Sequence, residues 1–188
     1  MANRDALRAF QSRLASRLQA ARTSGVSASW LAVEAGDSNY LFPLGHAGEI
    51  FPWTPPQHVP YTEPWFLGVA NLRGGLYGVV QLSTFIASGA TTAPAVSDTA
   101  RAQSRLVALN EMLEVNCALL IDRLVGLRGV DAFVASQPPV SDAPAWLGHA
   151  YTDAAGGRWQ EINLQALSQQ PQFLSIGARA DRLAPTTT

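Results

Sequence analysis

The chain has no lysine, a single cysteine (Cys117) and few charges of any sign, 14% of its 188 residues. A formal charge of −1 supplies no positive field to hold a polyanion, so nucleic acid is not an expected partner. One cysteine allows no intrachain disulfide and no multi-cysteine metal centre, which fits a reducing compartment, and the cytoplasm is the expected location. No apolar run approaches the roughly 18 residues that span a bilayer. The N-terminal stretch lacks the apolar centre of a secretory signal, so a soluble protein without direct membrane insertion is expected. Catalytic patterns are missing as well: there is no G-x-S-x-G elbow, no G-x-x-x-x-G-K-[ST] loop and no H-E-x-x-H, the spacings that give such groups a mechanical context. His46, His58 and His149 are scattered, and each is expected to be exposed or hydrogen-bonded rather than a metal ligand. Cys117 lies in an apolar stretch and reads as a buried, inert thiol. No catalytic, cofactor-binding or metal-ligating residue is assigned, and a noncatalytic protein is expected.

What is present is a large apolar fraction, 47%, enough for a continuous core. From Ala2 to Arg22, Leu7, Phe10, Leu14, Leu18 and Ala21 recur at spacings of three and four; this predicts an amphipathic helix within residues 1–25. Its polar face carries Arg4, Arg8, Arg13, Arg17 and Arg22 against Asp5, a net +4 that leaves −5 for the rest of a chain whose total is −1. That face is open to three readings: solvated, partner-binding or membrane-surface. After Gly25 short segments rich in valine, leucine, tryptophan and tyrosine alternate with glycine, proline and asparagine, the texture of β-strands. Strands are expected near 30–35, 40–43, 48–51, 76–82, 105–111, 115–121, 124–128 and 158–162. The composition of Gly36-Asp37-Ser38-Asn39 is that of a hairpin turn. Many short strands and little helix indicate a mainly β protein of small barrels or a sandwich.

Five prolines, at positions 52, 55, 56, 60 and 64, remove backbone donors and require a loop. Residues 88–104 are small, polar and unpatterned, a link expected to separate two subdomains within a domain over 26–183. Residues 184–188 have nothing to bury and read as a disordered tail. Gly74-Gly75 follows Arg73 and precedes an alternating segment, so a hairpin turn accounts for it better than a phosphate loop. The tryptophans could form a ligand cage, a core or a protein interface.

The stretch Gly68-Val69-Ala70-Asn71-Leu72-Arg73-Gly74, leading into Gly75-Leu76-Tyr77-Gly78-Val79-Val80-Gln81-Leu82, resembles the signature of CheW-like domains. Ala118 to Leu127, with Asp122 in it, is similar to the family's second landmark. Glu49-Ile50 matches an E-I pair, and Gly157-Arg158-Trp159 with Ile162-Asn163-Leu164 resembles the closing strand. Gly78, Gln81 and Ala118 stand where the family commonly has proline, aspartate and glycine. Pro64-Trp65, Arg158-Trp159 and the N-terminal extension make the chain most similar to the adaptors of type IV pilus chemosensory systems.

The resemblance implies an all-β fold of two five-stranded, SH3-like barrels around a shared core, with an N-terminal helix and a few short helices. It implies a scaffold that couples a methyl-accepting chemoreceptor, through the tip of the receptor's cytoplasmic hairpin, to the regulatory domain of a CheA-type histidine kinase, without a cofactor. The positions implied for receptor or kinase contact are Ala47, Glu49, Gly68, Asn71, Arg73 and Asp122. From the residues alone Arg73 stays open between a forked donor presented to a partner and an internal brace on its own carbonyls. Asp122 stays open between capping a turn and meeting the kinase. Two competing functions remain: a small-molecule-binding module using the groove between barrels, and a pilus- or membrane-associated interaction protein acting through its basic helix.

Overall fold

A computed structural model describes residues 30–87 and 102–177. The expected helix within 1–25, the tail 184–188 and most of the 88–104 link lie outside the described residues. In chain order the strands are β1 (Trp30–Ala35), β2 (Ser38–Pro43), β3 (Ala47–Pro52), β4 (Phe66–Leu72), β5 (Gly75–Gln81), β6 (Arg105–Leu109), β7 (Cys117–Ile121), β8 (Arg123–Arg128), β9 (Phe133–Gln137), β10 (Leu147–Asp153) and β11 (Arg158–Ile162). Among the described residues three short α-helices accompany them, α1 (Leu82–Ile86), α2 (Leu164–Ser168) and α3 (Pro171–Leu174). Asn163 starts α2 as the sequence chemistry dictates, its side chain accepting the N–H of Ala166 at 3.0 Å.

The strands form two sheets, a six-stranded one in the order β8-β1-β2-β11-β10-β9 and a five-stranded one in the order β3-β6-β7-β5-β4. The expected pair of five-stranded units is thus six and five. β1 and β2 pair antiparallel across Gly36-Asp37, with Gly36 at φ +60°, which confirms the hairpin expected there. Two seams are parallel, β2 with β11 and β5 with β7; the chain leaves the six-stranded sheet after β2 and re-enters it at β8, while within the five-stranded sheet β6 intervenes between β5 and β7. The link at 88–104 does not divide the sheets: β5 before it and β6 after it both belong to the five-stranded sheet. The crossings fall at the short connections from β2 to β3 and from β7 to β8.

Strand alternation builds three clusters. Leu31, Val33 and Ala35 of β1, Phe42 of β2, Val107 and Leu109 of β6, and Cys117, Leu119 and Ile121 of β7 face a core shared by both sheets. Their neighbours point the other way. Trp30, Ala32, Leu41 and Trp159 fill the curl of the six-stranded sheet, and Phe51, Ala70, Leu72, Val79, Leu106, Ala108, Ala118 and Leu120 fill that of the five-stranded sheet. Four of the five tryptophans, Trp30, Trp65, Trp146 and Trp159, are buried, and Trp53 packs against the five-stranded sheet's own cluster, so the core reading holds over the cage. In the shared core Trp65 stacks on Phe173 (centroids 6.2 Å apart, rings 8° from parallel) and meets Phe85 edge-on at 5.2 Å. Helices α1, α2 and α3 dock through Leu82, Phe85, Leu164, Leu167 and Phe173.

The turn from β10 to β11 is organised by one carboxylate. Asp153 Oδ2 accepts the indole N–H of Trp159 at 2.9 Å, while Oδ1 accepts the N–H groups of Gly157 at 2.8 Å and Ala155 at 3.0 Å. These bonds, that from Trp159 foremost, hold the Asp153 carboxyl below its ordinary pKa. A depressed folded pKa means that the unfolded chain takes up the proton first. The stabilisation is therefore complete above the ordinary carboxylate range of about 4 and is lost as pH falls through the folded value. Urea denaturation of wild type and Asp153→Asn is expected to show a stability gap at pH 7 that narrows progressively below about pH 4; a gap constant from pH 7 to pH 3 would refute this role.

Candidate protein docking site

The order of the five-stranded sheet puts β3 and β4 at opposite edges. Its curl brings them back toward each other, and the residues expected from the motif gather where they meet. The hairpin between β4 and β5 turns on Arg73 and Gly74, both at positive φ, 48° and 87°. Two consecutive left-handed residues are what a two-residue turn needs to match strand twist. Gly74 accepts this without strain; Arg73 does so because Asn71 Oδ1 accepts the Gly74 N–H at 2.9 Å and ties the turn. Asn71 is therefore a turn brace.

Arg73 reaches from the hairpin to β3. Its Nη1 lies 2.5 Å from Glu49 Oε1, and the two side chains remain 76% and 44% exposed. The guanidinium carbon sits 6.0 Å from the centre of the Phe51 ring. Among the described residues Glu49 is its ion-pair partner, and no hydrogen bond from Arg73 to a carbonyl of its own domain forms there. An ion pair this exposed contributes at most about 1 kcal/mol, too little to explain it as a device of stability. Ala47 lies on the same strand, half-buried beside the shared core.

Gly68 has a different task. It is buried, at φ +130°, where the pairing of β4 with β5 shifts register between Phe66 and Gly68. The proline-rich loop crosses directly over it: Gln57 N–H donates to Val69 O at 2.7 Å and Val69 N–H donates to Gln57 O at 2.9 Å. A Cβ on Gly68 would stand 2.0 Å from the Gln57 carbonyl oxygen. Gly68 thus shapes the surface from beneath, and it presents nothing to a partner itself. Asp122 stands apart from the Arg73 cluster. Its Oδ2 accepts the Gly36 N–H at 2.6 Å and its own N–H donates to Glu34 O at 2.8 Å, which ties the crossing from β7 to β8 onto the β1–β2 turn. Beside it Arg123 pairs with both carboxylate oxygens of Glu34, a contact the sequence reading missed because 89 residues separate the partners.

Outside this region nothing among the described residues converges as a catalytic centre would. Cys117 is fully buried, and burial pushes its thiol up to about 12, far from a nucleophilic thiolate. Among the described residues no group of three or more His, Cys, Asp or Glu could hold a metal ion. His58 and His149 are exposed, but His46 departs from expectation: its Nδ1 is buried without a hydrogen-bond partner. A hollow of about 460 Å³ between β2 and β11, lined by Asp37, Ser38, Asn39, Arg158 and Gln160 among others, is polar and lies on the surface. No helix among the described residues is long and apolar enough to cross a membrane.

Two sheets on a shared core, with an exposed charge pair at the edge of one of them, define a small double-sheet β domain. The chain belongs to the CheW-like domain family, a family of noncatalytic scaffolds of chemotaxis-type signalling, whose model it matches over residues 29–172. It is 28% identical over 166 residues to Protein PilI of Pseudomonas aeruginosa, covering 87% of this chain and 88% of that protein. Its fold is shared by the scaffolding protein TtCheW of Thermoanaerobacter tengcongensis, with a TM-score of 0.59 at 15% identity over 73% of this chain and 89% of that one.

Proposed function

We propose that this protein is a cytoplasmic adaptor that couples a methyl-accepting chemoreceptor to a CheA-type histidine kinase, in a chemosensory system that controls type IV pili. The observation that carries the reading is the Arg73–Glu49 pair, a preformed and exposed charge pair at the meeting edges of the five-stranded sheet that stability does not account for. Arg73 offers a fork of donors suited to a carboxylate or to the carbonyls at a helix end. Glu49 carries this surface onto β3, where the half-buried Ala47 backs the strand from the side of the shared core, while Gly68 and Asn71 hold the loop and the turn that frame it. Asp122, at the crossing between sheets, serves the surface by fixing the two sheets' junction. The similarity to Protein PilI supports the pilus system over a flagellar one.

The test is equilibrium binding of the full chain to the regulatory domain of the kinase and to the receptor's cytoplasmic hairpin from the same organism. A complex with each at or below tens of micromolar is expected, since arrays of such contacts gain strength by multivalency. No binding to either at about 100 micromolar, above the expected range, would overturn the adaptor reading.

A further inference from the structure

Glu49 and Phe51 both belong to β3, and both lie against Arg73. Phe51 is 7% exposed, fixed among Ala70, Leu72, Leu106 and Leu120 in the sheet's own cluster and braced by the Tyr77 ring at 6.2 Å. The arginine above it is 76% exposed. A long exposed side chain of this kind ordinarily samples many rotamers, and ordering it on binding costs affinity. Here a rigid ring face lies beneath the guanidinium at 6.0 Å, within reach of cation–π attraction, and a carboxylate takes one nitrogen, Nη1.

We infer that Phe51 is a positioning residue of the docking surface: its ring pins the Arg73 guanidinium so that Glu49 engages Nη1 and the remaining N–H groups are held ready for an anionic or carbonyl acceptor on the partner. This rests on the adaptor reading for its consequence, though not for its geometry. Ring and acid divide the work, the acid fixing where the guanidinium lies and the ring fixing its plane. The partner chemistry that follows is a carboxylate or a helix C-terminal carbonyl group, approaching from the side opposite Phe51.

The test uses the intact protein with Phe51→Leu, which keeps an apolar side chain but removes the π face, and Phe51→Tyr, which keeps it. Proton NMR of the Arg73 side chain reads positioning without any partner: ring-current-shifted Hδ and Hε resonances are expected in wild type and Phe51→Tyr and are expected to be lost in Phe51→Leu. Binding to the kinase regulatory domain and to the receptor hairpin is expected to weaken about two- to five-fold in Phe51→Leu, to recover in Phe51→Tyr, and to show no further loss when Phe51→Leu is added to Arg73→Ala. Melting curves confirm that each variant is folded at the assay temperature. Unshifted Arg73 resonances in wild type, or the same loss from Phe51→Leu in the presence and absence of Arg73, would overturn the positioning role. Failure of wild type to bind either partner, with the resonances shifted as expected, would instead overturn the adaptor reading and leave the geometry standing.

Discussion

Gly68→Ala is expected to destabilise the protein by about 3–5 kcal/mol, assembled from two sources. Holding a non-glycine residue at φ +130° costs on the order of 1–3 kcal/mol. The new methyl would also stand 2.0 Å from the Gln57 carbonyl oxygen, so the loop must lift and give up its paired bonds to Val69, each contributing about 1 kcal/mol. For a domain of this size the melting temperature falls by about 2–4 °C per kcal/mol, a drop of about 10 °C. Gly74→Ala is the control. Gly74 also has positive φ, 87°, but a Cβ there meets nothing within 4 Å, so the cost is conformational alone, on the order of 1–2 kcal/mol. Equal losses from the two substitutions in thermal denaturation would show that the crossing of loop over strand does not matter.

Arg73→Glu is expected to leave the melting temperature within about 2 °C of wild type, because the pair it breaks is exposed, and to weaken binding to kinase or receptor at least ten-fold. The size of the binding effect follows from replacing a forked donor at an interface by a charge that repels the same acceptor. The exchange Glu49→Arg with Arg73→Glu separates a cation that meets the partner from one that serves only to pair with Glu49. It restores an ion pair across the same edge but reverses the charges a partner meets. Binding that stays lost in the double variant, measured by calorimetry with the purified kinase domain, places Arg73 in contact with the partner. Binding that returns would make the pair an internal brace, and the docking surface would have to be sought elsewhere.

Much of the fold is legible in the order of residues. The alternation in β1 and β2 about Gly36-Asp37, and the apolar runs of β6 and β7, report half-buried or buried strands directly. β9 and β10 left little trace. Four of the five residues of β9 are exposed, and β10 interrupts its pattern with Gly148, His149 and Thr152, so the contrast that marks a strand is absent. The stretch expected as strand through Glu111 ends at Leu109, and Glu111–Leu113 forms a 3-10 turn capped by Asn110, whose side-chain oxygen accepts the Met112 N–H. Asn110 is the signal that could have found it. At the site, the motif marked Gly68, Asn71 and Arg73 together, yet it could not separate their tasks, since a buried bulge, a turn brace and an exposed cation differ in surroundings rather than in sequence.

The sequence by itself determined which faces of which segments are apolar, where the chain must turn, and the family to which the domain belongs, because each of these depends on residue type and on spacings of a few positions. Only the tertiary structure decided that the division between sheets falls at the β2–β3 and β7–β8 crossings rather than at the 88–104 link, that Asp122 ties onto Gly36, and that the sheet's curl carries Glu49 and Phe51 to Arg73. Those outcomes depend on which strands become neighbours. Strand order is set by the sum of long-range burial over the whole chain, and local periodicity carries no record of it.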